Sequence, residues 1–71
     1  PGKQIAKKVQ LVWDKDFEKP IDFVVGDEWK AGNLSYHLKS RPVWEGFINN
    51  DILKIADEYL CIDDICVGTY K

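Results

Sequence analysis

The chain has one histidine and two cysteines among its 71 residues. A structural zinc shell takes four histidine or thiolate ligands, so these three residues cannot fill one. Nor is the gap between Cys61 and Cys66 the Cys-x-x-Cys redox spacing. No stretch approaches the roughly 18 consecutive apolar residues of a membrane span, and no charged segment followed by an apolar one reads as a secretory leader. Gly-x-Gly-x-x-Gly, the phosphate loop, the nucleophile elbow and His-Glu-x-x-His are all missing. Asp14-x-Asp16-x-Glu18 starts like a calcium loop but lacks the glycine and the distal glutamate. The expectation is a chain without catalytic residues, metal, cofactor or membrane partner, with His37 as a solvated surface side chain.

Hydrophobic residues make up 45% and charged residues 31%, a balance that argues against disorder and favours a globular fold. The length suits one small domain over residues 1–71, with 1–7 read as a loose or cut end. Such a domain sits near the lower limit of what one core can stabilise. Three Trp, three Tyr and three Phe help, because each ring buries a large apolar area. Two cysteines are too few for a secreted disulfide framework, so a cytoplasmic, reduced setting with free thiols is expected.

Net charge is −2, unevenly spread. Residues 1–19 hold five lysines against three acids, whereas residues 51–71 hold two lysines against five acids. Phosphate binding needs a concentrated basic face. Only Lys3, Lys7 and Lys8 cluster along the chain, which disfavours nucleic acid as the main ligand.

Short apolar runs with turn chemistry between them predict strands over 8–13, 21–25, 34–39, 43–48, 53–56, 59–62 and 65–70. Leu34, Tyr36 and Leu38 alternate with Ser35, His37 and Lys39, the period of a half-buried strand. The resulting fold class is a small mainly-β domain, an antiparallel barrel or sandwich of short strands. The alternative is α+β, with a helix at about 51–60 packed on an antiparallel sheet, since Ile52, Ile55, Ala56, Tyr59 and Leu60 also fit a helical stripe. Asp63-Asp64 reads as a turn that would place Cys61 and Cys66 on facing strands, where pairing is geometrically conceivable. The run ILKIADEYL at 52–60 resembles the closing helix of repressor-type helix-turn-helix domains, whose members bind operator DNA. That likeness covers nine residues, and Cys61-Ile62-Asp63-Asp64 departs from the family's pattern, so the family is not assigned.

Function is then expected to lie on the exterior. The leading reading is a non-catalytic protein-interaction module, a small regulator or inhibitor of a larger protein partner. It would bind through an aromatic patch of Trp29, Tyr36, Trp44 and Phe47 with Arg41 as charged anchor, or through a sheet edge. Trp29 lies between two glycines in an expected loop, where its ordinary fate would be to fold back and cap the core. The alternatives are a nucleic-acid-binding regulator, OB-like or repressor-like, and an acidic mimic of nucleic acid.

Overall fold

Between Gly2 and Asp16 the buried positions are Ala6, Val9 and Trp13, spaced three and four apart, and the lysines fall outside that stripe. This period is helical, and α1 (Gly2–Asp16) is a helix in the computed structural model, which describes residues 2–71. The strand expected at 8–13 is replaced by it, and residue 1 of the end read as loose or cut over 1–7 lies outside the described residues. Trp13 is fully buried; its Nε1 donates to the Lys19 carbonyl at 2.7 Å, and its ring packs on Phe17 at 4.2 Å.

After the break at Pro20, β1 (Phe23–Val25) is buried on both faces. Gly26, with φ +152°, turns the chain where a Cβ would lie 2.6 Å from Ile65. Asp27 then caps α2 (Glu28–His37), its side chain accepting from the Lys30 amide at 2.8 Å. The chain returns as β2 (Val43–Trp44), parallel to β1 with Phe23 opposite Val43. Strand, helix and parallel strand form one βαβ unit, in which α2 is the crossover.

Asn49 caps α3 (Asn50–Ile55), accepting from the Ile52 amide. β3 (Ala56–Ile62) follows immediately and pairs antiparallel with β4 (Ile65–Tyr70). The ambiguous stretch at 51–60 is thus helix in its first half and strand in its second. β4 also pairs with β1, which gives a four-stranded sheet of order β2-β1-β4-β3.

Among the described residues the sheet is mixed and open, with three helices, so the α+β alternative describes it and the barrel or sandwich does not. Val24, Ile65 and Val67 face α1 and α2 in the larger core, together with Val9, Trp13 and Leu34. On the other face Phe23, Val25 and Cys66 meet Ile52 and Ala56, so the short α3 covers that side. No helix among the described residues is long and apolar enough to cross a membrane.

The cysteines do not remain free thiols. Cys61 and Cys66 stand directly opposite in the β3–β4 register and are joined as a disulfide. Cys61 is exposed and Cys66 is buried against the second core. Two ion pairs tie distant segments together: Lys19 Nζ to Asp57 at 2.5 Å, and Lys30 Nζ to Asp64 at 3.0 Å.

Candidate binding surface

A helix packed on a sheet ordinarily turns its apolar side inward and its polar side to water. The inward side of α2 follows this pattern with Ala31 and Leu34, and the cap residue Leu38 continues it. Its outward side does not. Trp29 and Tyr36 lie seven residues apart, two helical turns or about 10.5 Å along the axis, on the side opposite Ala31 and Leu34. Trp29 is 72% exposed and Tyr36 65% exposed, among the barest large side chains of the chain.

Between them are Gly32 and Asn33. The Asn33 side-chain amide donates to the Trp29 carbonyl at 2.7 Å. A Cβ added at Gly32 would meet nothing within 4 Å. Glycine inside a helix costs about 1 kcal/mol relative to alanine, and no close neighbour in this fold requires that sacrifice. Gly32 leaves the helix surface between positions 29 and 36 without a side chain.

Arg41 extends the same surface. The turn after α2 returns the Arg41 amide to the Leu38 carbonyl at 3.0 Å, and the guanidinium lies over the Tyr36 ring, 5.1 Å from its centre. Its backbone is left-handed at φ +50°, directly before Pro42. This conformation costs a non-glycine residue about 1–3 kcal/mol and is found where surrounding structure imposes it.

The other two expected residues stand apart at the sheet edge. Trp44 is half-buried on β2, packs on the larger core and donates its indole N–H to the Gly26 carbonyl at 3.0 Å. It braces the start of α2 rather than presenting a free face. Phe47 leans edge-on against it at 6.1 Å and is 64% exposed. The five residues therefore divide into a group on and just after α2 (Trp29, Tyr36, Arg41) and a β2-edge pair (Trp44, Phe47). Trp29 sits on a helix and not in a loop, and it does not cap the core. Tyr36 also belongs to that helix, so the strand expected at 34–39 is corrected as well.

Sequence reading missed the groove beside this surface. Lys3, Ala6 and Lys7 of α1 face His37, Leu38 and Lys39 across a depression of about 340 Å³. The Tyr36 and His37 rings meet edge to face at 4.9 Å, so groove and aromatic surface are continuous. The signal for it was the spacing of Lys3 and Lys7, one helical turn apart, which is hidden while the segment is read as strand. His37 is exposed, and neither cysteine lines its groove.

Titration is shifted mainly where acids and bases touch. Burial raises Tyr70 to about 12, aided by its hydrogen bond to Glu45 and by the charges of Glu45 and Asp22. The hydrogen bond from Lys30 holds Asp64 below the ordinary carboxylate range and raises Lys30 in turn. Comparison of the chain with family models, with curated proteins and with solved structures gives no match in any of the three.

Proposed function

We propose that this chain is a non-catalytic interaction module that docks on a larger protein through the outward side of α2. Trp29 and Tyr36 are its anchors and Arg41 its charged clamp. The observation that carries this reading is the pair of bare aromatic rings flanking an unneeded helical glycine. Tryptophan, tyrosine and arginine dominate interface hot spots, where truncating one costs about 2 kcal/mol or more. By occupying its partner's surface, such a module would act as a regulator or inhibitor.

The other readings draw less support. The helix resembling a repressor's ends after six residues, too short to cross a major groove. Mimicry of nucleic acid is weakened because Asp57 and Asp64 are paired with lysines. A partner strand could add to the outer edge of β3, but it would leave the aromatic surface unused. The disulfide supports an oxidising compartment for the module rather than the reduced cytoplasm.

The test is affinity capture from extracts of the native host, comparing the wild type with Trp29→Ala, Tyr36→Ala and the control Leu11→Ala, another exposed apolar residue. The expected result is one set of proteins retained by wild type and control and lost from both aromatic variants. Retention by all four would overturn the reading.

A further inference from the structure

The inference concerns the chemistry of the partner and rests on the proposed docking role. The groove between α1 and the end of α2 has an apolar floor, Ala6 and Leu38, both almost fully buried. Its rim is Lys3, Lys7, Lys39 and His37 together with the neutral Gln4 and Gln10, and no carboxylate lines it. Lys30 and Lys19 are neutralised by acids of their own chain, whereas Lys3, Lys7 and Lys39 have no ion pair among the described residues. Three unpaired cations around an apolar floor form a polarised receptor, and its complement carries an apolar group between negative charges.

We infer that this groove receives a short acidic segment of the partner protein, with an aliphatic side chain entering the depression above Ala6 and Leu38 and flanking carboxylates paired with Lys3, Lys7 and Lys39. Continuity through His37 and Tyr36 makes it the electrostatic half of a surface whose aromatic half is Trp29 and Tyr36. A nucleic-acid backbone fits less well. Phosphates gain nothing from an apolar floor, and an extended polyanion would run beyond this corner onto a chain of net charge −2. A peptide segment confined to about 340 Å³ avoids that repulsion.

The probe is a labelled peptide of alternating glutamate and leucine, titrated at low salt against the full chain and followed by backbone amide chemical shifts. A lysine–leucine peptide, polyglutamate and oligothymidine are titrated in parallel. The glutamate–leucine peptide should move the amides of Ala6, Lys7, Leu38 and Lys39 and bind more tightly than the other three. Lys7→Glu and Lys39→Glu should each weaken it about tenfold, since reversal adds repulsion to the lost attraction. Trp29→Ala should leave peptide affinity unchanged while abolishing capture of the partner. Equal binding of the lysine–leucine peptide, tighter binding of oligothymidine, or no shift at low salt would each overturn the acidic-segment proposal. If aromatic variants still lose the partner in that case, the docking role survives without the groove. If the peptide binds as described but Trp29→Ala keeps the partner, the groove stands and the α2 docking role falls.

Discussion

Gly32 is a helical glycine that no close neighbour in the fold requires. Because its surroundings are open, Gly32→Ala should stabilise the chain by about 1 kcal/mol, read as a higher urea midpoint. The same methyl group would stand on the helix surface between Trp29 and Tyr36, and partner capture should fall. A variant that is both more stable and weaker in binding separates function from folding, and one that gains stability without losing the partner would count against the docking face. Tyr70 gives a second test at this scale. Its folded pKa of about 12 lies above the ordinary 10.0, so the fold favours the protonated phenol. The associated stability is fully present below about pH 10 and is lost as pH rises through about 12. Tyr70→Phe should remove the last step of a tyrosinate absorbance titration and flatten the loss of stability across that window.

Among the elements, the β3–β4 hairpin was the most legible. Ile62, Ile65, Val67 and Thr69 are β-branched and flank an acidic turn, and both local preference and packing favour strands there. The two longer helices were hidden for different reasons. In α1, Val9, Leu11 and Trp13 alternate by accident, yet Leu11 is exposed and the true stripe runs through Ala6, a residue too small to announce a core position. In α2, Tyr36 completes a false alternation with Leu34 and Leu38 because an aromatic ring stands on the water side. The departure from amphipathicity that obscured the helix is the same feature that makes its outer side a candidate site. Exposure of Trp29 and the Tyr36–Arg41 contact could not be read before α2 was recognised. For the hairpin itself, the disulfide closes a loop only six residues long, at a sequence separation of 5. Chain-entropy reasoning gives such a loop about 2 kcal/mol. Replacing both cysteines with alanine should lower the unfolding free energy by about that much. Alkylation of the unreduced native chain should leave its mass unchanged, and labelling of both thiols would show that the bond does not form.

At the scale of the molecule, two tryptophans divide the work of the chain. Trp13 is fully buried and joins α1 to the loop at Lys19, whereas Trp29 touches mainly water. Trp13→Ala should cost about 3–5 kcal/mol, a large part of the margin available at about 0.1 kcal/mol per residue. Trp29→Ala should stay within about 0.5 kcal/mol of wild type. Urea denaturation of the two variants side by side checks this, and comparable losses would mean that Trp29 has a packing role. The crossover position of α2 has a further consequence. Paired strands fasten the helix at both ends, by Phe23 against Val43 and by the Glu45 N–H donating to the Val24 carbonyl, so its backbone is anchored to the sheet on either side. A partner would meet a preorganised surface and spend little on ordering it. Association should then proceed in a single kinetic step, with a rate set by collision and orientation rather than by rearrangement of the module.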